Sequence, residues 1–128
     1  MLMPVIAGGN SCVLLANEKM PLCSITFSEV LNASDVPGGV VNIITGHISE
    51  LVKPLATHMD VNAIAFSNIP ELKKDIDLHS VDNLKRVRAY NVSWKDNDAQ
   101  ALHYITDFQE VKTTWHPIEN IGGASSTY

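Results

Sequence analysis

Three short apolar runs divide the first half of the chain. Residues 11–16 form a nearly continuous apolar run, which is typical of a strand covered on both faces. Residues 40–44 form a second run rich in β-branched side chains, and residues 63–66 form a third. Residues 22–31, between the first two runs, predict a helix.

The segment between the second and third runs predicts the clearest helix. Its apolar side chains follow the spacing i, i+3, i+4, i+7 and i+8, namely Ile48, Leu51, Val52, Leu55 and Ala56. Pro54 lies inside this segment and predicts a kink or a shorter regular part. Strands that alternate with helices imply parallel pairing with right-handed crossovers. The predicted fold class is therefore α/β, with a Rossmann-like three-layer core.

The second half of the chain is more polar. Residues 71–90 carry many charges and a thin apolar stripe, and they predict one or two helices; a further helix is predicted from residues 96–98 through Ile105. Residues 108–115 alternate, which predicts a half-buried or edge strand after the helices. The predicted parts are a core at 1–71, a helical extension at 72–106, a terminal strand at 107–118 and a flexible tail at 119–128.

Composition and charge exclude several classes of function. The formal net charge of −5 argues against a nucleic-acid partner, and Lys85, Arg86 and Arg88 are interpreted as a solvated helix face. No apolar run approaches the roughly 20 residues of a membrane span, so we expect a cytoplasmic protein without a membrane partner. The two cysteines and five histidines lack the spacing of metal ligands, so no metal site is predicted.

Four segments together resemble one enzyme family. The first is GNSCVLLANEKMP at residues 9–21, the second is VPGGVVNIITG at residues 36–46, and the third is LATHMDVNAIAFS at residues 55–67. In this order and spacing they resemble the cofactor-binding domain of the aldehyde dehydrogenase superfamily. FQEVKTT at residues 108–114 is similar to the family's C-terminal strand. That strand pairs with a neighbouring subunit, so the resemblance implies self-association, or pairing with another chain, through Val111, Thr113 and Trp115.

The resemblance implies an NAD(P) site in which most contacts are changed. In the family a Lys and a Glu hold the adenosine ribose; here Glu18 is kept, but Leu15 stands at the Lys position. Gly46 keeps the first glycine after the second strand, whereas Ile48 stands at the second glycine. We interpret Glu18 and Gly46 as vestigial cofactor contacts.

The end of the third strand departs from the family pattern as well. Asn68, Ile69 and Pro70 replace the family's Gly-Ser-Thr, and proline has no backbone N–H to offer a phosphate. We therefore expect no bound cofactor, and NAD or NADP if there is one.

Catalytic residues of the family are missing from this sequence. The resemblance implies a nucleophilic Cys and a Glu general base after the third strand, but no Cys follows Cys23, and Cys12 falls within a buried strand. No catalytic residue is therefore assigned, and the predicted function is a non-catalytic aldehyde-dehydrogenase-like remnant. Two alternatives stay open, namely a truncated or split part of an NAD(P)-dependent aldehyde oxidoreductase, and a protein-interaction module.

Overall fold

The computed structural model describes residues 1–67 and 69–116 of the 128-residue chain. The helices are α1 (Leu2–Ala7), α2 (Pro21–Asn32), α3 (Ile48–Thr57), α4 (Lys73–His79) and α5 (His103–Thr106). The strands are β1 (Cys12–Leu15), β2 (Val41–Ile44), β3 (Ala63–Ser67) and β4 (Arg86–Tyr90). Short 3-10 turns, Pro70–Leu72 and Asn97–Gln100, lie before α4 and α5.

The strands form two separate parallel pairs. β1 pairs with β2 so that Cys12 lies opposite Val41, and β3 pairs with β4 so that Ala63 lies opposite Arg86. Among the described residues, β1 and β3 are not hydrogen-bonded to each other. The predicted α/β class with parallel strands is confirmed, and the structure adds a division of the sheet between β1 and β3.

Two predicted helices are confirmed and provide the connections between strands. α2 links β1 to β2 and begins with Pro21, at a position where the missing N–H costs no helical hydrogen bond. α3 links β2 to β3 and runs through Pro54 to Thr57, so the proline does not end the helix. α2 returns the chain to the end of the sheet at which β1 began, as the parallel pairing of β1 with β2 requires, whereas α3 connects one strand pair to the other.

The helical prediction for residues 71–90 is wrong beyond His79. α4 ends there, and Arg86–Tyr90 is a strand paired in register with β3. Val87 and Tyr90, which are half-buried, have the β-branched and aromatic side chains that favour strands. Pairing with β3 satisfies the backbone groups on one side of this segment, so tertiary context overrides its charged, helix-like composition.

The basic cluster at the start of β4 is not a solvated helix face, so that interpretation is also wrong. The Lys85 side chain is buried and its Nζ donates a hydrogen bond to the His58 carbonyl oxygen. Arg86 Nη1 donates to the Gln109 carbonyl oxygen at 3.0 Å. Burial lowers the pKa of Lys85 below its usual value. These cations therefore hold loops against the amino end of β4.

The strand predicted at residues 108–115 is not formed in the single chain. Phe108 is buried, but residues 109–116 pair with no strand among the described residues. Val111 is 82% exposed and Trp115 is 89% exposed, so the expected inner face covers nothing here. The alternation of side chains is real, but within residues 1–67 and 69–116 the segment joins neither strand pair.

The hydrophobic core is thin. The buried apolar side chains are Ala16, Ala56, Phe66, Ile76, Ala99, Tyr104 and Phe108. Many large apolar side chains are exposed instead, among them Leu22 (76%), Val30 (58%) and Leu102 (72%). Apolar surface is therefore left uncovered by the chain itself.

Replacement of Leu84 by asparagine is expected to stabilise the protein. Leu84 has φ 53° and is 87% exposed, so its backbone is strained while its side chain contributes little packing. Asparagine tolerates this conformation, and we expect Leu84→Asn to raise the free energy of unfolding by about 1 kcal/mol. Thermal unfolding should show this as an increase in Tm of roughly 2–5 °C. Leu84→Ala keeps the strain and is the control; a lower Tm for the asparagine variant than for this control would contradict the argument.

Candidate functional site

The carboxyl ends of β1 and β2 bring the two predicted cofactor contacts to one place. Glu18 follows β1, and Gly46 lies in the turn between β2 and α3. Glu18 Oε1 accepts a hydrogen bond from the backbone N–H of Ile48, the first residue of α3, and lies 3.8 Å from His47 Nδ1. Parallel α/β folds bind ligands at the carboxyl ends of their strands, and Glu18 and Gly46 lie at these ends.

A local turn places Glu18 beside α3. Asn17 Oδ1 accepts hydrogen bonds from the backbone N–H groups of Lys19, at 2.9 Å, and Met20, at 3.1 Å. Asparagine forms such turns because its short side chain can reach the backbone two and three residues further along. The turn reverses the chain between β1 and α2, and the Glu18 carboxylate lies against the amino end of α3.

The Glu18 carboxylate acts as a cap for α3. The first N–H groups of a helix have no partner within it, and a negative charge there also interacts favourably with the helix dipole. Glu18 satisfies the N–H of Ile48 in this way. The donor that could approach an anionic ligand is therefore already engaged by a carboxylate of the same chain.

Gly46 makes room for a neighbouring side chain. A Cβ atom at this position would lie 2.8 Å from Leu51 Cδ1, and Gly46 has φ 156°, which side-chain-bearing residues rarely adopt. Leu51 lies in α3 and covers the glycine from within the chain. The glycine therefore fits the packing of α3 against the turn, and its open side is filled by leucine.

The residues present do not fit an NAD(P) group. Leu15 and Ile48 are both half-buried and line the cleft between the strand pairs, where they offer no polar contact. After β3, Ile69 also lines this cleft and Pro70 begins a 3-10 turn. Asn68 lies outside the described residues. At the two turns where parallel folds supply backbone donors to a pyrophosphate, the N–H of Ile48 is engaged by Glu18 and Pro70 has no N–H.

Cys12 does not have the surroundings of an activated thiolate. Cys12 lies in β1, and burial raises the pKa of its thiol. Cys23 is exposed in α2. An activated thiolate needs a lowered pKa, supplied by a base, a cation or a helix N-terminus. Within residues 1–67 and 69–116 there is also no cluster of metal-ligating side chains, and no helix there is long and apolar enough to cross a bilayer.

A second cluster, which we call the aromatic cluster, forms at the carboxyl end of β4. It contains Tyr90, Trp94 and Tyr104, whose ring centroids lie 5.2 to 5.7 Å apart in edge-to-face arrangements. Trp94 Nε1 donates to Ser67 Oγ at 3.3 Å, which ties the cluster to the end of β3. The cluster thus fastens the segment after β4 to both strands of this pair.

Asp107 lies at the polar side of the aromatic cluster. Tyr90 Oη donates to Asp107 Oδ2 at 2.8 Å, and Arg88 Nε lies 3.1 Å from Asp107 Oδ1. Burial by itself would raise the pKa of Asp107, but the hydrogen bonds from Tyr90 and Arg88 bring it below the usual value. Burial and the bond to Asp107 both raise the pKa of Tyr90. Tyr90 therefore stays neutral at the end of β4 and cannot serve as a base near neutral pH.

Sequence reasoning missed this cluster. Tyr90, Trp94 and Tyr104 lie in a strand, a loop and a helix, so no single period connects them. The sequence did contain one indication of the aromatic cluster, because three large aromatic side chains occur within the short polar stretch from residue 90 to residue 104.

Known proteins are similar to this chain over the segments at residues 9–21, 36–46 and 55–67. The model of the aldehyde dehydrogenase family matches residues 1–90, which is more than two thirds of the chain. The chain belongs to the aldehyde dehydrogenase family. The match includes the three segments that carry the resemblance, and it extends to the end of β4. The similarity at residues 108–114 lies outside it and stays a prediction.

Curated relatives of this aldehyde dehydrogenase family member are much longer than the chain. The (Z)-2-((N-methylformamido)methylene)-5-hydroxybutyrolactone dehydrogenase of Acinetobacter baylyi is 38% identical over 84 residues, which are 66% of this chain and 17% of that protein. The NADP/NAD-dependent aldehyde dehydrogenase PuuC of Escherichia coli is 37% identical over 85 residues, again 66% and 17%. The chain thus spans about a sixth of the length of these relatives.

A solved structure supports the fold. The aldehyde dehydrogenase from Bartonella henselae superposes with a TM-score of 0.63 at 29% sequence identity. The superposition covers 69% of this chain and 19% of the other. The Rossmann-like α/β prediction is confirmed by this likeness.

Proposed function

We propose that this chain is a non-catalytic aldehyde-dehydrogenase-like module that holds no NAD(P) and, by itself, oxidises no aldehyde. The observation that carries the proposal is the hydrogen bond from the Ile48 N–H to Glu18 Oε1. It engages the carboxylate expected at the ribose and the amino end of α3 in one internal contact. Leu15, at the position of the ribose lysine, offers no compensating polar group.

The cysteines support the catalytic part of the proposal. The sequence contains two, Cys12 and Cys23, and burial raises the pKa of the first. Thioester-forming chemistry requires a thiolate near neutral pH. Tyr90, whose pKa is raised, cannot act as a base for such a thiol.

Isothermal titration of the purified protein with NAD and with NADP tests the proposal. We expect no heat of binding that corresponds to a Kd below about 1 mM, which is about 4 kcal/mol of binding free energy. The Escherichia coli relative, whose name states use of both cofactors, serves as the positive control. Aldehyde-dependent NADH formation by this chain alone would overturn the catalytic half of the proposal.

A double variant tests whether the Leu15 and Ile48 side chains alone prevent cofactor binding. Leu15→Lys with Ile48→Gly restores the family residues at two positions, while Pro70 and the Glu18 carboxylate stay as they are. We expect this variant to bind neither cofactor, because the turn after β3 still lacks an N–H at Pro70. If the variant binds NAD or NADP with a Kd of about 1 mM or below, the Leu15 and Ile48 side chains alone are responsible for the loss of cofactor binding.

One alternative has a specific observation in its favour. The aldehyde dehydrogenase match over residues 1–90 favours, as the second candidate, a truncated or split part of an NAD(P)-dependent aldehyde oxidoreductase that completes its NAD(P) site with another chain. It predicts cofactor binding only in the presence of that chain.

Three further features belong to the same proposal. The cofactor-domain-like core extends to residue 90, because β4 pairs with β3. Self-association uses Val111, Thr113 and Trp115, two of which are strongly exposed apolar side chains. The location is cytoplasmic, where the two free cysteines would stay reduced.

A further inference from the structure

The last residues of β3 and β4 lie side by side and are both held by the chain that follows β4. Ser67 ends β3 and is paired with Tyr90, which ends β4. Trp94 Nε1 donates to Ser67 Oγ at 3.3 Å, and Tyr90 Oη donates to Asp107 Oδ2 at 2.8 Å. One partner in each bond belongs to residues 91–108, which we call the closing segment.

The closing segment is an ordered part of the fold. It contributes Ala99, Tyr104 and Phe108, which are three of the seven buried apolar side chains within residues 1–67 and 69–116. The Tyr104 ring also lies 5.2 Å from Tyr90 and 5.3 Å from Trp94. Burial of apolar side chains offsets the entropy that is lost when a segment becomes ordered. The closing segment is therefore packed against the ends of β3 and β4.

The contacts of this segment follow β4 in the reverse direction. Arg88 Nε lies 3.1 Å from Asp107 Oδ1, and Arg86 Nη1 donates to the carbonyl oxygen of Gln109, the residue directly after the segment. Gln109 Nε2 in turn donates to the Gly8 carbonyl oxygen at 3.5 Å, and α5 packs against α1. The closing segment is thus fixed at the carboxyl end of β4 and again near its amino end.

The position of the closing segment is one that ligands occupy in related architectures. Parallel α/β folds bind ligands outside the carboxyl ends of their strands. At β3 and β4 this position is taken by residues of the same chain. The match to the aldehyde dehydrogenase family ends at residue 90, so the closing segment begins directly where the family match ends.

We propose that the closing segment is an autoinhibitory strap, which keeps the carboxyl ends of β3 and β4 closed to a ligand or a second polypeptide. Asp107 holds it closed through Tyr90 and Arg88. A ligand or a second polypeptide reaches these strand ends only when the closing segment is displaced. The strap acts at β3 and β4, whereas the proposed function is carried by a bond at β1 and α3, so either can fail while the other holds.

Amide hydrogen exchange of the full chain, followed by NMR, tests whether the segment behaves as a strap. The N–H groups of Tyr104, Asp107 and Phe108 are bonded within the closing segment, and those of Cys12 and Ala16 are bonded between β1 and β2. We expect protection in the closing segment to be about tenfold or more above that of residues 110–116, and about tenfold or more below that of Cys12 and Ala16. The segment then opens without unfolding of the rest of the chain.

Tyr90→Phe tests the role of Asp107. The variant keeps the ring in the aromatic cluster and removes the hydroxyl group that donates to Asp107. A hydrogen bond to a carboxylate is stronger than a neutral one. We therefore expect exchange at Tyr104, Asp107 and Phe108 to become about tenfold faster or more.

Tyr104→Phe is the matched control. It removes a hydroxyl group from the same aromatic cluster, but this hydroxyl group donates no hydrogen bond to residues 1–67 or 69–116. We expect exchange in the closing segment to change by about threefold or less.

Thiol labelling tests whether the end of β3 is closed. Ser67→Cys places a thiol at this end, and its reaction with iodoacetamide can be resolved by peptide mass spectrometry from that of Cys23, which is exposed and serves as the internal reference. We expect labelling at position 67 to be about tenfold slower or more than at Cys23, and about tenfold faster when Tyr90→Phe is added. The Met1 Sδ atom also lies 3.9 Å from Ser67 Oγ, and coverage by Met1 alone would leave labelling unchanged by Tyr90→Phe.

Several outcomes would overturn the proposal. Exchange in the closing segment as fast as in residues 110–116 would show that the segment is open, and protection equal to that of Cys12 and Ala16 would show that it is a core element and not a strap. An equal effect of Tyr90→Phe and Tyr104→Phe would refute the role of Asp107. Labelling at position 67 as fast as at Cys23 would show that the strand end is not closed. If Ser67→Cys does not fold, the exchange of the two tyrosine variants decides.

Discussion

Tyr104→Ala is expected to lower the free energy of unfolding by about 3–5 kcal/mol. Tyr104 is 4% exposed, and its ring lies 5.2 Å from Tyr90 and 5.3 Å from Trp94. Removal of the ring leaves a cavity at the centre of the aromatic cluster and removes two edge-to-face contacts. Because the core is thin elsewhere, neighbouring side chains cannot compensate. Urea denaturation followed by far-UV circular dichroism measures the loss.

Tyr104→Phe is the matched control for this loss. It keeps the ring and removes the hydroxyl group, so the expected loss is about 1 kcal/mol or less. If both variants lose the same stability, the hydroxyl group and not the ring packing stabilises this region, and the argument from the aromatic cluster is wrong.

Asp107→Asn is expected to lower the free energy of unfolding by about 1–2 kcal/mol near neutral pH, with a loss that disappears in acid. The folded-state pKa of Asp107 is lowered by the hydrogen bonds from Tyr90 and Arg88. A carboxyl whose pKa is lower in the folded state contributes stability above its unfolded pKa, near 3.9. That contribution disappears as the pH falls through the folded value. The Arg88 side chain is 43% exposed, which keeps the expected magnitude small.

Urea unfolding at neutral pH and in a series of buffers of decreasing acidic pH measures this difference between the two proteins. Glu110→Gln is the control, because Glu110 is an exposed carboxyl two residues beyond the buried Phe108. A stability difference between Asp107→Asn and the unmodified protein that does not change with pH would show that the carboxylate charge is not responsible.

Local patterns of apolar side chains were sufficient to predict β1, β2, β3 and α3. β1, β2 and β3 are short apolar runs, and α3 has one clear apolar face, so each could be recognised without its neighbours. β4 could not be recognised in this way. Arg86 Nη1 donates to the Gln109 carbonyl oxygen and Arg88 Nε lies 3.1 Å from Asp107 Oδ1, and both partners follow about twenty positions later. A charged segment becomes a strand only when such distant partners exist.

The candidate site was predictable in its position but not in its chemistry. The resemblance placed Glu18 and Gly46 at neighbouring strand ends, and the structure brings them together. The bond between Glu18 and Ile48 joins residues 30 positions apart, and the filling of Gly46 by Leu51 depends on how α3 packs. No local sequence pattern predicts either contact. The role of Glu18 as a cap of α3 could therefore be recognised only from the structure.

The division of the strands into two pairs has a consequence for how the chain folds. β1 and β2 enclose residues 12–44, and β3 and β4 enclose residues 63–90, so each ladder closes one loop of moderate length. The entropic cost of closing such a loop is only slightly greater than the cost of closing a loop several times shorter. We therefore expect each pair to form with its helix before the contacts between the two pairs form. The rate of the last step would then depend on how well the surfaces of the two pairs fit each other.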